Sequence, residues 1–236
     1  MVTELTRTTD LAASATSLFV GEMAKAIAAR GKFVVALSGG TTPLGLFANL
    51  ARLPNLSWDR VKVFWGDERF VAHDDEASNF RSAREAFLER LPVDPANVYP
   101  WPQPAGSGDL RSELAGAAAR YAEVLTSVLG DEPVFDLQLL GLGSDAHTAS
   151  LYPSDPALGC TGLTAGATPR GVAHPRLTLT PRALSSSRCV AFLVSGEGKR
   201  EALVGTLASP EPDPRYPARS VSALERLVWL TDIDVG

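Results

Sequence analysis

Four short segments of this sequence combine glycines with hydroxyl, carboxylate, imidazole or amino side chains, the groups with which proteins bind anions and move protons. They are residues 38–43 (Ser-Gly-Gly-Thr-Thr-Pro), 66–69 (Gly-Asp-Glu-Arg), 141–153 (Gly-Leu-Gly-Ser-Asp-Ala-His-Thr-Ala-Ser-Leu-Tyr-Pro) and 196–199 (Gly-Glu-Gly-Lys). Each follows directly after an apolar run of strand length. Because ligands of open parallel sheets bind at the carboxyl ends of the strands, we expect these segments to meet at one sheet edge.

The segment at 38–43 suits a phosphate group. Its two glycines allow the backbone to approach a ligand closely, its three hydroxyls add donors, and the helix expected to begin at Pro43 presents free N–H groups at its positive end. The candidate binding residues are Ser38, Gly39, Gly40, Thr41 and Thr42. The segment has no lysine, which excludes a P-loop. A tight turn with a threonine cap is the alternative.

Two further segments carry charged candidates. Arg69 is suited to a phosphate or a sugar hydroxyl, and Asp67 can hold hydroxyls or the arginine itself. Lys199 stands at an expected helix start on the same edge. A solvated charged turn and an exposed lysine are the respective alternatives.

The segment at 141–153 offers a proton-transfer group. His147 follows Asp145 by two residues on a glycine-rich turn, and histidine titrates closest to neutral pH. The glycine spacing also resembles a dinucleotide-binding fingerprint, but Pro153 comes where a long helix should follow, and this excludes that interpretation. A structural or solvated loop histidine is the alternative.

Strand-like and helix-like patterns alternate along the chain. We predict helices over 11–30, 43–53, 78–90, 110–129 and about 199–207, and strands over 33–37, 61–65, 135–142, 189–195 and 226–230. This alternation predicts an α/β fold with a doubly wound, mainly parallel sheet and helices on both faces, a Rossmann-like three-layer sandwich. The proline-rich or patternless stretches 92–108, 153–175 and 209–217 are predicted as loops within a single domain covering 1–236.

Composition narrows the classes of function. Lys and Arg total 22 and Asp and Glu 27, for a net charge of −5 without a block of one sign, so a nucleic-acid partner is not expected. Cys160 and Cys189 are too few for a disulfide framework or a four-thiolate zinc site. The first ten residues lack a signal pattern, and no apolar run approaches the roughly 18 residues that span a bilayer. We therefore expect a cytoplasmic protein that does not bind membranes.

Taken in order, the four motifs resemble those of the 6-phosphogluconolactonase family, which belongs to a wider group with the glucosamine-6-phosphate deaminases. The resemblance extends from about residue 10 to residue 231, including the Arg-Leu-Thr-Leu-Thr stretch at 176–180. Its most specific part is His-Thr-Ala-Ser-Leu followed by an aromatic residue and proline. Ala146 stands where the family pattern has a second glycine, so its methyl group would be strained if that position needs a positive φ.

The resemblance implies hydrolysis of 6-phospho-D-glucono-1,5-lactone to 6-phosphogluconate, with no metal and no organic cofactor. His147 would be the general base that activates water, and Asp145 would orient its imidazole or hold a sugar hydroxyl. Asp67 would contact the sugar, while Arg69, Lys199 and the backbone of 39–42 would hold the phosphate. The expected partner is the sugar phosphate lactone, and the expected assembly is a monomer or a small homo-oligomer.

Two alternatives remain open at this stage. A glucosamine-6-phosphate deaminase/isomerase would share the phosphate turn, but that group typically carries Ile-Ala-Phe-Asn-Glu-Pro after the histidine, and residues 148–153 contain neither Asn nor Glu. A non-catalytic sugar-phosphate sensor would usually carry a helix-turn-helix segment before this fold, and only about ten residues precede the first predicted helix.

Overall fold

The computed structural model describes residues 2–106, 108–210 and 212–235. The strands within these ranges are β1 Val2–Arg7, β2 Phe33–Leu37, β3 Val61–Trp65, β4 Asp67–Arg69, β5 Phe135–Gly141, β6 Thr164–Ala167, β7 Arg176–Leu179, β8 Ser187–Val194 and β9 Arg226–Thr231. The α-helices are α1 Leu11–Arg30, α2 Leu44–Leu50, α3 Asn79–Ala86, α4 Leu110–Leu129, α5 Pro181–Ser185 and α6 Arg200–Ala208.

Six strands form one parallel sheet in the order β1-β9-β8-β5-β2-β3. Its inner strands β2, β5, β8 and β9 are largely apolar and almost fully buried, as expected for strands covered on both faces. The predicted doubly wound, mainly parallel fold is confirmed. The chain runs from β2 outward to β3 and later returns as β5 on the other side of β2. The switch point at which such folds bind ligands therefore lies between β2 and β5.

A second sheet, antiparallel and of order β4-β7-β6, was not predicted. It begins where the chain leaves β3: the Gly66 N–H donates to Leu37 O over 2.9 Å, and the Leu179 N–H donates to Gly66 O over 2.8 Å. The prediction that 153–175 is patternless is therefore wrong, because Thr164–Ala167 forms β6. Strands of three or four residues are too short for alternation to show in the sequence.

Helix α1 has the boundaries that the sequence predicts. The Asp10 carboxylate accepts from the Ala13 N–H at 2.9 Å, and Gly31 ends the helix in the left-handed conformation with φ 71°. By length and composition alone α1 is apolar enough to cross a membrane. In this fold its buried residues, including Phe19 and Met23, belong to the core, and the helix packs along the parallel sheet.

The other predicted boundaries need small corrections. Helix α2 is shorter than predicted, and α3 ends at Ala86, after which Leu88–Arg90 form a 3-10 turn. Strands β5, β8 and β9 and helix α6 each differ from their predicted bounds by one or two residues. Strand β1 was not predicted. Nearly all of its residues are exposed, and its sequence therefore shows no alternation of apolar and polar residues.

Candidate active site

A cavity of about 260 Å³ lies at the carboxyl ends of β2, β5 and β8 and beside β4. All four segments singled out in the sequence contribute to its wall. The predicted site residues that line it are Ser38, Gly39, Gly40, Thr41, Thr42, Asp67, Arg69, His147 and Lys199. Asp145 is not a lining residue; its exposed side chain hydrogen-bonds to His147. The structure thus brings the predicted residues together at one sheet edge.

The turn after β2 presents a row of unused donors. Within the part of the chain that the structure describes, the backbone N–H groups of residues 39–42 have no acceptor in the protein. Gly40 has φ 82°, a conformation that glycine adopts without strain. A Cβ atom on Gly39 would lie 1.8 Å from Asn79 Oδ1, so this position has no room for a side chain. Successive free N–H groups in such a turn form a concavity that suits an anion.

The turn after β5 presents His147 to the cavity. The Gly143 N–H donates to His147 O over 2.8 Å, and the Ala146 N–H donates to Gly143 O over 3.0 Å. His147 Nδ1 lies 2.5 Å from Asp145 Oδ1. A carboxylate only accepts, so Nδ1 carries the proton in this pair, and Nε2 is left as the basic nitrogen of the neutral ring.

Two contacts fix the plane of the imidazole. The ring of Tyr152 stacks on that of His147 with centroids 4.4 Å apart and an interplanar angle of 25°. On another side, a Cβ atom on Gly143 would lie 2.2 Å from His147 Nδ1, so the ring packs directly on this glycine. Together with the Asp145 bond, these contacts hold the histidine in one orientation.

Ala146 has φ 65°, in the left-handed region, where the methyl group of alanine is strained. A left-handed residue other than glycine costs about 1–2 kcal/mol. Its surroundings hold it there: the side chain is buried, and its carbonyl accepts from the Ala218 N–H at 3.2 Å. The loop therefore keeps the conformation that places His147 despite lacking the glycine of the family pattern.

Arg69 and Asp67 are tied together by Asn79, a residue that the sequence analysis missed. The Arg69 guanidinium donates to Asn79 Oδ1 and, over 3.0 Å, to Ala77 O. The Asn79 amide donates to Asp67 O over 2.9 Å and packs over the turn at Gly39. Asn79 thus joins two of the predicted motifs, although its place at the start of α3 gives no local sign of this role.

Ser150 joins the histidine loop to β4. Its hydroxyl, which is fully buried, donates to Asp67 Oδ2 over 2.7 Å. Ser150 was also missed as a site residue, although it lies within the quoted His-Thr-Ala-Ser-Leu motif. Its bond fixes the direction of a carboxylate that lines the cavity.

Glu68 points away from the cavity and caps α3. Its carboxylate accepts from the N–H groups of Arg69, Asn79 and Phe80 at 2.7–2.8 Å and from the Ser78 hydroxyl at 3.1 Å. Burial raises the pKa of Glu68 to about 7, while the backbone donors oppose this by favouring the ionised form.

Lys199 reaches the cavity from the turn after β8. Asp232 holds that turn: it accepts from the Ser195 hydroxyl at 2.5 Å and from the Gly196 N–H at 2.9 Å. Half-burial lowers the pKa of Lys199, and the negative charge of Asp232 opposes the shift.

Arg176 is a third cation on the wall, and it was not among the predicted site residues. It lies on β7 directly across from Arg69 of β4 in the antiparallel register. The one signal in the sequence was the Arg-Leu-Thr-Leu-Thr stretch at 176–180. No feature of the neighbouring residues indicated that the Arg176 side chain faces the cavity. Among the described residues, no group of three or more His, Cys, Asp or Glu side chains is arranged to hold a metal ion.

Comparison with known proteins identifies the family of this chain. The family model described as glucosamine-6-phosphate isomerases/6-phosphogluconolactonase matches residues 6–229. The chain belongs to this family. A 6-phosphogluconolactonase of Synechocystis is 43% identical over 215 residues, covering 90% of this chain and 87% of its own length. A 6-phosphogluconolactonase of Mycobacterium tuberculosis is 36% identical over 232 residues, covering 96% and 93%.

Solved structures of the glucosamine-6-phosphate isomerase/6-phosphogluconolactonase family agree with the fold. The crystal structure of 6-phosphogluconolactonase from Thermotoga maritima matches with a TM-score of 0.84 and 30% identity, covering 98% of this chain and 99% of its own. A monomeric glucosamine-6-phosphate deaminase matches with a TM-score of 0.79 at 23% identity, a likeness of fold alone.

Proposed function

We propose that this protein is a 6-phosphogluconolactonase, which hydrolyses 6-phospho-D-glucono-1,5-lactone to 6-phospho-D-gluconate. The names of its similar relatives support this activity. The structural observation that carries it is the His147–Asp145 pair, whose imidazole lines the same cavity as the free N–H groups of 39–42. That pairing provides a base beside an anion-binding turn, as the hydrolysis of a phosphorylated lactone requires.

In the proposed reaction, His147 Nε2 takes a proton from a water molecule as the water oxygen attacks the lactone carbonyl carbon. The tetrahedral intermediate then collapses, and the bond between this carbon and the ring oxygen breaks. The protonated imidazole donates its proton to the departing oxygen, which becomes a hydroxyl, and the new carboxylic acid ionises at neutral pH. Asp145 keeps the Nδ1 proton in place throughout and stabilises the imidazolium.

The remaining proposed roles concern binding. The N–H groups of 39–42 and the hydroxyls of Ser38, Thr41 and Thr42 hold the phosphate, together with Arg69 and Lys199. Asp67, fixed by Ser150, accepts hydrogen bonds from the sugar hydroxyls. An anchored phosphate aligns the carbonyl carbon with the base, and this alignment adds to a general acid–base contribution of about 10²–10⁴-fold. A lactone is reactive enough that no covalent nucleophile is required.

The wider context belongs to the same proposal. The reaction would be the lactone-opening step of the oxidative pentose phosphate pathway, carried out by one domain over 1–236 without a cofactor. The match of the family model to residues 6–229 supports the single domain. A cytoplasmic location, the absence of membrane and nucleic-acid partners, and a monomer or small homo-oligomer stay predictions of the sequence.

The test is a proton-release assay with freshly generated 6-phosphogluconolactone, corrected for spontaneous hydrolysis. We expect His147→Ala to lower turnover by about 10²–10⁴-fold and to leave affinity for 6-phosphogluconate nearly unchanged. Turnover of this variant at the wild-type rate would show that the base is another group. Release of ammonia from glucosamine 6-phosphate would instead favour the deaminase alternative, and tight binding without any turnover would favour a sensor.

A further inference from the structure

The six-stranded sheet has two outer strands, and the described chain covers only one of them. Beyond β3, the Tyr99 N–H donates to Val63 O over 2.8 Å, and the Trp65 N–H donates to the Tyr121 hydroxyl over 3.1 Å. Strand β1 pairs with β9 alone, and all but one of its residues are exposed. Within the described residues, β1 is therefore the open edge of this sheet.

The parallel register with β9 determines which backbone groups of β1 face outward. The N–H groups of residues 2 and 8 donate to carbonyls at the two ends of β9, each over 2.8 Å. Because the direction of bonding alternates along a strand, the even-numbered residues face β9, and the N–H and C=O groups of Thr3, Leu5 and Arg7 point away from it. Among the described residues these outward groups make no backbone hydrogen bond.

Strand β1 lacks the features that usually protect an edge. Natural edge strands are short, bulged, interrupted by proline or covered by another element. Strand β1 has six residues, against five in β2 and in β3, its register with β9 is continuous, and it contains no proline. Its two charged side chains are already ion-paired, Glu4 with Arg226 and Arg7 with Asp234, each at 2.9 Å. Such an edge is a template for another strand.

A second copy of β1 complements this edge. In an antiparallel pair, a two-fold axis normal to the sheet brings the outward residues of one copy opposite those of the other. With the axis at Leu5, this residue pairs with its own copy, and Thr3 pairs with Arg7 of the partner subunit. Each of these pairs exchanges two hydrogen bonds, so every outward backbone group of both strands is used.

Side chains favour this alignment over its neighbours. Leu5, which is 44% exposed, meets its own copy on one face, and on the other face Glu4 lies opposite the hydroxyl of the partner subunit's Thr6. An axis at Glu4 would place two carboxylates opposite each other, and an axis at Arg7 two guanidinium groups, both of which are unfavourable. An axis at Thr6 would leave the outward groups of Thr3 beyond the end of the partner strand.

We propose that β1 pairs with β1 of a second copy of this chain, antiparallel and with the two-fold axis at Leu5, so that two six-stranded sheets become one continuous sheet. Because this pairing reverses the strand direction, the cavities at the carboxyl ends of the two sheets lie at opposite edges of the joined sheet. Both cavities stay open. No residue of the cavity takes part, so the proposal is independent of the proposed function.

The first experiment measures the mass of the chain by sedimentation equilibrium over a wide range of concentrations. We expect a dimer, and we expect Leu5→Pro to raise its dissociation constant by about tenfold or more, because the outward N–H is lost from both copies. This N–H does not serve the pairing with β9, so the variant should fold, which its Tm will show. Leu5→Lys should weaken the dimer as well. The matched control is Leu110→Lys, which changes a leucine of similar exposure, 48%, and should leave the dimer intact.

The second experiment tests the alignment by disulfide formation in a Cys160→Ser background, which removes the exposed native thiol. On mild oxidation Leu5→Cys should form a linked dimer, because the Cα atoms of a hydrogen-bonded pair lie about 5.5 Å apart, within the range of a disulfide. Thr3→Cys is the matched control: residues 3 and 7 stand about 13 Å apart along a strand, so two copies of Thr3→Cys should not link. Mixed with Arg7→Cys, the same variant should link.

Three results would overturn the proposal. A chain that stays monomeric at every concentration would leave the edge to a different partner or to solvent. A dimer that neither Leu5→Pro nor Leu5→Lys weakens would use another surface. Equal linking of Thr3→Cys and Leu5→Cys would indicate random collisions rather than a fixed alignment. None of these measurements involves lactone hydrolysis, so they leave the proposed function to its own test.

Discussion

Gly143 is the position at which one added methyl group should disable His147. A Cβ atom there would lie 2.2 Å from Nδ1 and 2.4 Å from Cε1 of His147, and 2.6 Å from Asp145 Oδ1. Carbon atoms in favourable contact stand about 3.5–4.0 Å from their neighbours. In Gly143→Ala the imidazole and its carboxylate partner must therefore move by about 1 Å or more, or lose their hydrogen bond.

The expected effect follows from this displacement. A misplacement of about 1 Å at a reacting group can cost roughly 10²-fold in rate, which corresponds to about 2.7 kcal/mol of barrier. We expect kcat of Gly143→Ala to fall by about this factor. Stability should change little, because Gly143 does not have a positive φ and is only half-buried, so the backbone accepts alanine.

The assay is proton release from 6-phosphogluconolactone, paired with NMR titration of the histidine rings. His73 and His174 serve as internal references for the displaced His147 signal. The control is Gly159→Ala, since a Cβ atom there has no neighbour within 4 Å and the residue lies outside the cavity. Wild-type kcat in Gly143→Ala, together with an unchanged His147 titration, would refute the claim that this glycine sets the position of the ring.

Three further predictions concern the residues around the cavity. Ser150→Ala removes the hydroxyl that fixes Asp67, and we expect about a tenfold loss in kcat/KM, measured by steady-state kinetics; no loss would mean that another contact orients this carboxylate. Asn79→Ala frees the Arg69 guanidinium, so KM should rise by about tenfold or more while kcat changes less; a fall in kcat alone would contradict this. Because burial raises the pKa of Glu68 to about 7 from 4.5, the folded state keeps a proton that the unfolded chain loses, and this group should lower the free energy of unfolding by up to about 3 kcal/mol as pH rises from 4.5 to 7. Urea unfolding across this pH range should show this loss of unfolding free energy in the wild type and not in Glu68→Gln. An identical pH dependence in both proteins would exclude a contribution from Glu68.

The parallel sheet was predictable because its strands are short, largely apolar runs that alternate with helices along the chain. Phe33–Leu37 is a continuous apolar run and Val61–Trp65 is apolar except for Lys62, and the structure has both strands with the predicted bounds. Strand β6 (Thr164–Ala167) carries only Thr, Ala and Gly and depends on pairing with β7, so no local pattern distinguishes it from a loop. Secondary structure that pairing alone creates leaves no periodicity in a single sequence.

The same distinction separates the predicted site residues from the missed ones. His147 and Arg69 belong to segments that begin at the ends of β5 and β3 and are rich in glycine or charge, and the rule that ligands bind at strand ends is enough to find them. Ser150 contacts a carboxylate 83 residues away, and Arg176 faces the cavity from a sheet that the sequence did not predict. Their positions in the site depend on contacts between segments that are distant in the sequence. Local residue spacing and residue type do not reveal such contacts.

The pairing of β1 with β9 has a consequence for how this chain is completed during synthesis. Residues 2–7 lie in parallel register with 226–231, so the strand that a ribosome makes first of the nine acquires its partner last. Until then β8 also lacks its outer neighbour, since β9 stands between it and β1. A nascent chain stalled before residue 226 would expose the edge of β8, a buried apolar strand, and such an edge is a template for aggregation. Strand β9 therefore covers the exposed edge of β8 and also provides the pairing partner of β1.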